Sequence, residues 1–482
     1  MRQALYRMTE GPDVTAKDAQ VDKNFLISEV TVSELFGRYS YRISPLTPRE
    51  ATLGAPPLML LYGGNGSGKT TVLRILYHLL SSADDQGHRT RLAQIPFRTV
   101  VVKLGNGDTI TVAKQNGLVG DIEISVVSSQ QEAVVQKYSY DQQTRRVFVT
   151  PTSTIHAQLG TYTTTMPLFV PAENLDVIPI FGGEEDRYAK YLEGLAAKPV
   201  IIGDDRRMHS DNIDSDERMQ RQRQRAREDS DPESSTVAAE LAEAMRRTSD
   251  WFRQQLISGT EAGSQGADQI YLVVLKQIAK LGNPEERQSS ESIQEALHQL
   301  EKRTLLFSEY GLVPHFRSRQ FNRLLNTLDP EGEELAANII FPYIEGQNAR
   351  LDSLQVVERL LRTFLNNLRG YLGPEKRIVF SPQYGLRIFV GDHEYLSPRQ
   401  LSSGERHLFL LLCNSMLARE SGSLFLVDEP ELSLNATWQR KLVGSLLECV
   451  AGANVQFIMA THSIEIITKH RQYLATLTPE DA

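Results

Sequence analysis

Nine residues, Gly63-Gly64-Asn65-Gly66-Ser67-Gly68-Lys69-Thr70-Thr71, fit the spacing G-x-x-x-x-G-K-[ST]. Glycines at these positions let backbone N–H groups converge on an anion without a Cβ in the way. Lys69 is the residue type that bridges the β- and γ-phosphates of a nucleotide, and the Thr70 hydroxyl is placed to ligate magnesium. Far downstream, Leu424-Phe-Leu-Val-Asp428-Glu429-Pro430 ends four apolar residues in two carboxylates. Asp428 could hold the metal shell, while Glu429 could orient a water and take its proton. His462 follows a second apolar run, Val455-Gln-Phe-Ile-Met-Ala460, and could hydrogen-bond a γ-phosphate. Leu401-Ser402-Ser403-Gly404-Glu405 opens an apolar helix, so its hydroxyls and first-turn N–H groups form a second anion receptor. Plainer readings exist for each: a glycine-rich turn, a solvated acidic turn, an ordinary histidine. The serine turn could equally be an N-cap in which Glu405 complements the helix dipole, and both of its readings can hold at once.

These residues need elements that bring them together. Residues 56–62 are an apolar strand leading into the loop, and 70–82 read as a helix with Val72, Leu73, Leu76, Leu79 and Leu80 at helical spacing. The runs before Asp428 and His462 have the uniform apolar character of buried parallel strands. Ligands of such sheets are expected outside the carboxyl ends of the strands. Residues 25–43 read as strands with Phe36-Gly37-Arg38 between them. The β-branched stretch 97–172, with its Gly105-Asn106-Gly107 hairpin signal, reads as a small antiparallel sheet closed by 167–171. A long helical stretch covers about 235–372, where Leu354, Val357, Leu360, Leu361, Phe364, Leu365 and Leu368 form a face that needs a partner. β-like segments return at 377–381 and 386–390.

Composition narrows the class. Apolar residues make up 40% of the chain, and no apolar run approaches membrane-helix length. The first residues contain no signal-peptide block, so the expected location is the cytoplasm, with no membrane partner. The two cysteines, Cys413 and Cys449, lie in apolar helical segments and read as buried thiols. A net charge of -8 argues against a uniformly basic nucleic-acid binder and leaves nucleic acid open only through a local patch. Arg218, Arg221, Arg223, Arg225 and Arg227 are such a candidate, but neighbouring acids favour a self-neutralised solvated segment.

The combined motifs resemble those of the ABC-type ATPases, the group that includes transporter motors and SMC-like DNA-repair ATPases. The likeness covers most of 25–90 and 375–470. It implies an α/β fold: an ABC-type P-loop ATPase head with an antiparallel β subdomain and a large helical insertion. It also implies that Leu401–Glu405 is the signature motif and Glu431-Leu-Ser433-Leu-Asn435 the D-loop. ATP and Mg²⁺ would be the cofactors, sandwiched between the loop of one subunit and the serine turn of another, so that a homodimer or higher homo-oligomer forms around nucleotide. Ser403 replaces a common glycine and Glu405 a frequent glutamine; both variants resemble the SMC-like side. The family's Q-loop glutamine stays unassigned between Gln94 and Pro171-Ala-Glu173-Asn174.

The long separation of loop and signature argues against a transporter. The insertion is too short for an SMC coiled coil, is broken at Gly282-Asn-Pro284 and Leu312-Val-Pro314, and lacks a Cys-x-x-Cys hook. The layout resembles the compact ATPases of prokaryotic antiviral defence, the AriA family of PARIS systems and the PtuA family of Septu and retron systems. That resemblance implies a sensor or scaffold that holds or activates a separate effector, a nuclease or toxin, with no nuclease domain expected after His462. The alternative is an SMC-like DNA-binding repair or genome-maintenance ATPase. The expected organisation is a flexible leader at 1–24, an N-terminal core part at 25–190, a helical insertion at 191–373 with a charged, disorder-prone segment at 204–233, and a C-terminal core part at 374–482.

Overall fold

The computed structural model describes residues 27–44, 58–64, 66–83, 87–128, 133–149, 154–155, 162–163, 186–195, 198–203, 208–210, 237–259, 290–391, 394–421, 424–476 and 478–479. Strands β1 (Ile27–Leu35), β2 (Tyr39–Ile43) and β3 (Leu58–Tyr62) precede helices α1 (Lys69–Leu80) and α2 (His88–Gln94). Then come β4 (Thr99–Leu104), β5 (Thr109–Lys114), β6 (Ile122–Val127), β7 (Val134–Asp141), β8 (Arg146–Val149), β9 (Thr154–Ile155) and β10 (Tyr162–Thr163). Helix α3 (Arg187–Leu195) is followed by β11 (Val200–Ile202) and β12 (Met208–Ser210). Helices α4 (237–259), α5 (Ser290–Glu309), α6 (Arg319–Leu325) and α7 (Pro330–Arg369) lead to β13 (Lys376–Ser381), β14 (Gly385–Val390) and β15 (Glu394–Leu396). The chain continues through α8 (Ser403–Ser421), β16 (Leu424–Asp428), α9 (Ala436–Val450), β17 (Gln456–Thr461), α10 (Ile464–Lys469), β18 (Leu474–Thr476) and β19 (Thr478–Pro479).

The two strand patterns go to two sheets. In β16 and β17 every residue is buried, as a parallel strand covered on both faces requires. They lie in a six-stranded sheet ordered β12-β11-β16-β17-β3-β18, parallel throughout except for β12. Strands β4, β5 and β6 instead alternate between buried and half-buried residues, which suits a sheet with one face on a core. They belong to an eight-stranded sheet ordered β19-β2-β1-β4-β5-β6-β7-β8, with every pairing antiparallel. This is larger than the small sheet expected, because β1 and β2 join it at one side and the late strand β19 extends it. The expected hairpin forms between β4 and β5, with Gly107 at φ +93° in the turn. One apolar core fills the space between the sheets and α1, from Leu35 and Val100 to Leu76, Leu426 and Ile458. Buried Gln456 stitches the start of β17 to β1: its side chain accepts from Ile27 N–H and donates to Ile27 C=O, both at 2.8 Å.

The chain separates into two compact units, Met1–Arg218 with Ala418–Ala482, and Met219–Leu417. These limits differ from the boundaries expected at 190 and 374. The short apolar β11 pairs in parallel with β16, Val200 opposite Phe425 and Ile202 opposite Val427, so the first unit runs past 190. Residues 374–417 fall with the helices because β13 and β14 pack on α4: the Phe252 and Phe380 rings lie 5.6 Å apart, tilted to each other, and Ser249 Oγ accepts the Leu386 N–H at 3.0 Å. The leucine face of α7 finds its partner there too, with Phe364 5.9 Å from Phe252. Leu360 is the exception on that face, lying half-exposed. Both cysteines are buried thiols outside any disulfide, as expected. The leader 1–24, the closing segment 167–171, Asn65 and the arginine cluster at 218–227 lie outside the described residues, as does most of 204–233.

Candidate functional site

Strand β3 carries four buried residues and then exposed Tyr62 to the rim of the parallel sheet, where the loop begins. Gly66 and Gly68 turn the loop with φ of +76° and +85°, a region L side chains enter only with strain. Gly68 is doubly constrained, since a Cβ there would sit 2.6 Å from Leu35 Cδ2. At Gly64 and Gly66, by contrast, a Cβ would meet no atom within 4 Å. Lys69 is buried, and its ammonium donates to the carbonyl oxygens of Gly63 at 2.9 Å and Gly64 at 3.0 Å. Helix α1 starts at Lys69 with no side-chain cap and no acid in its first turn. Its positive end and first-turn N–H groups therefore face the loop with no acid from the helix's own first turn. The Ser67 hydroxyl is buried with no protein hydrogen-bond partner. A glycine cradle, an uncapped helix start and an orphaned hydroxyl together fit a phosphate group.

Strand β17 lies between β3 and β16, with Thr461 opposite Tyr62 and Ala460 opposite both Leu61 and Asp428. The loop, the Asp428-Glu429 pair and His462 thus leave one rim from three neighbouring strands, the outer two about 10 Å apart at the usual strand spacing. Asp428 is buried at the end of β16. Glu429 follows at φ +47°, a left-handed conformation that costs a non-glycine residue about 1–2 kcal/mol. Its N–H donates to Ala460 C=O at 2.9 Å. That bond holds the kink that takes the chain out of the sheet at this residue. Burial pushes the Lys69 ammonium below the ordinary lysine range, and the charges of Asp428, Glu429 and Glu431 oppose that shift. All three carboxylates therefore act on the loop lysine.

His462 follows β17 directly. Its backbone N–H donates to Glu431 Oε1 at 2.6 Å, and the next N–H, of Ser463, donates to the same oxygen at 3.0 Å. Ser463 caps α10 by accepting from Ile466 N–H, and its hydroxyl donates to Gln439 Oε1 at 2.7 Å. Gln439 Nε2 in turn donates to Leu434 C=O at 2.8 Å. Glu431 lies inside the stretch resembling the D-loop, and no local pattern in the sequence marks it or Gln439. Within that stretch Ser433 is exposed at φ +64°, and Asn435 caps α9 by accepting from Trp438 N–H.

The serine turn belongs to the other compact unit. Ser402 and Ser403 are exposed and Gly404 is buried. Glu405 is fully engaged inside the cap: one carboxylate oxygen accepts from both Ser402 N–H and Ser402 Oγ at 2.9 Å, the other from Lys376 Nζ at 2.6 Å. Burial raises the Glu405 carboxyl, but the Lys376 ammonium and the Ser402 donors outweigh it and hold the group below its usual range. The turn thus has the N-cap arrangement, with both serines at the surface. Gln94, one Q-loop candidate, donates to Arg145 C=O at 3.3 Å, and the 171–174 alternative lies outside the described residues. Among the described residues no helix is long and apolar enough to cross a membrane.

Residues 282–468 match the family model described as "AAA domain, putative AbiEii toxin, Type IV TA system". The match contains the serine turn, Asp428, Glu429 and His462 and leaves the phosphate loop outside. No curated protein matches the chain. Similar solved structures include the Smc head domain with an extended coiled coil bound to the C-terminal domain of ScpA from Pyrococcus furiosus, at 12% identity and a TM-score of 0.35, covering 95% of this chain and 96% of that one. The Smc head with a coiled coil and joint from Pyrococcus yayanosii is 11% identical with a TM-score of 0.35, over 95% of this chain and 97% of that one. By sequence, the segment holding the two carboxylates and His462 is therefore similar to an AAA domain.

Proposed function

We propose that the protein is an ABC-type ATPase whose substrate is ATP, bound at the rim from which the loop, Asp428, Glu429 and His462 emerge. The observation that carries this reading is the register that puts the ends of β3, β16 and β17 side by side. The loop N–H groups and the start of α1 receive the phosphates. Lys69 exchanges its two carbonyl acceptors for phosphate oxygens. Glu429 orients a water for in-line attack on the γ-phosphate and accepts its proton, while His462 hydrogen-bonds the charge that develops there. Thr70 and Asp428 would hold magnesium, which neutralises phosphate charge when bound. The exposed serines 402 and 403 supply a second set of anion donors, to the nucleotide of a second copy. Glu405 holds that turn in shape.

In this reading ATP joins two copies, because nucleotide that binds only the assembled pair stabilises it by mass action. The assembly then holds or activates a separate effector protein, a nuclease or toxin, in antiviral defence. The matched family is described as a putative toxin of a toxin–antitoxin system, and a system of paired proteins is the setting this role needs. The test is a mass measurement of the Glu429→Gln protein with and without ATP, followed by co-expression with the products of adjacent genes. Nucleotide-dependent dimers or larger assemblies that retain a neighbour are expected. A monomer at saturating ATP, or salt-sensitive DNA binding with no protein partner, would sink the scaffold role.

A further inference from the structure

We infer that Glu431, braced by Gln439, is a positioning residue that fixes His462 against the γ-phosphate; this rests on the ATP-hydrolysing reading above. His462 sits at the junction between the end of β17 and the start of a six-residue helix, α10. Such a junction has little of its own to hold it, since neither element extends through it. Glu431 supplies the missing restraint by accepting two successive N–H groups on one oxygen. Bonds from amides to an ionised carboxylate are about twice as strong as neutral ones. Ser463 is gripped three ways: its N–H also reaches Thr461 Oγ1 at 3.0 Å, its hydroxyl reaches Gln439, and it caps α10. Gln439 carries the chain of bonds on to Leu434, in the same loop as Glu431.

The chemistry of the site makes this choice of residue informative. Glu431 acts electrostatically on Lys69, so it lies in the field of the phosphate-binding loop. A third negative charge beside a triphosphate works against binding, so the visible reason for an acceptor side chain here is the pair of backbone N–H groups it receives. Here it holds the backbone of the residue assigned to the γ-phosphate. The loop 431–434 and the His462 loop consequently move as one body, and displacement of either displaces the histidine.

The test is a double-mutant cycle on phosphate release, with ATP affinity and melting temperature measured alongside. Glu431→Ala should lower kcat about 100-fold, the effect of a misplaced catalytic group, while changing ATP affinity less than about threefold. Adding it to His462→Ala should cost no more than about another threefold, because the two act through one group. Glu431→Gln keeps an acceptor oxygen and should restore most of the loss; it also serves if the alanine variant does not fold. Effects that multiply, or a Glu431→Ala protein with parental kcat, overturn the positioning role and leave the ATPase reading standing. A wild-type protein that releases no phosphate overturns both.

Discussion

The ammonium of Lys69 is bonded to the carbonyl oxygen of Gly63 at 2.9 Å, a donor satisfied by the loop it is proposed to serve. The loop is therefore ordered by its own lysine before a phosphate arrives, and nucleotide must offer Lys69 better acceptors than two carbonyls. Lys69→Ala should lose both arrangements. A charged hydrogen bond contributes about 1.5–3 kcal/mol, so ATP affinity should fall roughly 10- to 150-fold in an equilibrium titration.

Glu429 sits at φ +47° although it is not glycine. Glu429→Gly should relieve about 1 kcal/mol of strain and raise the denaturant midpoint, while phosphate release disappears. Glu429→Gln should keep the strain, keep ATP and also lose turnover. Equal stability in the glycine variant and the parent would mean that the strain relieved is no larger than the entropy glycine adds to the unfolded chain.

Much of this site was legible because it is built on local pattern. The apolar runs ending at Tyr62, Asp428 and Thr461 are buried parallel strands, and their polar successors lie at one rim, as uniform hydrophobicity followed by charge predicts. Glu431 and Gln439 were not legible, because their partners Ser463 and His462 are distant in sequence and a single carboxylate or amide in a loop has no period. Strand β11 has no legible sequence signal, because its three residues border a highly charged stretch and tertiary pairing with β16 overrides that context. For Glu405, both the cap and the nucleotide contact were open from sequence; its bonds to Ser402 and Lys376 favour the cap.

Gly68 combines a φ of +85° with a Cβ position 2.6 Å from Leu35 Cδ2. Gly68→Ala should destabilise the fold by about 1–3 kcal/mol, from left-handed strain plus overpacking of β1 against the loop. Gly66→Ala shares the strain but has open space around its Cβ, so it should cost less. Denaturant unfolding of the two variants side by side checks the ranking.

The Glu405 carboxyl is held below its usual range, which fixes the sign of its pH dependence. A carboxyl depressed on folding contributes stability that is complete above its unfolded value, near 4.5, and is lost as pH falls through the folded value. Glu405→Gln should therefore be less stable by about 1–2 kcal/mol at pH 7 and should lose less on acidification than the parent does. Parallel stability curves for the two proteins from pH 7 to pH 3 would contradict the assignment.

Phosphate release from magnesium-ATP, measured in parallel for the parent, Lys69→Ala and Glu429→Gln, tests the central claim most directly. The account predicts turnover by the parent, ATP affinity lowered roughly 10- to 150-fold with turnover lost in Lys69→Ala, and retained ATP without turnover in Glu429→Gln. Turnover by a correctly folded Lys69→Ala protein at the parental rate, or none by the parent, would contradict it.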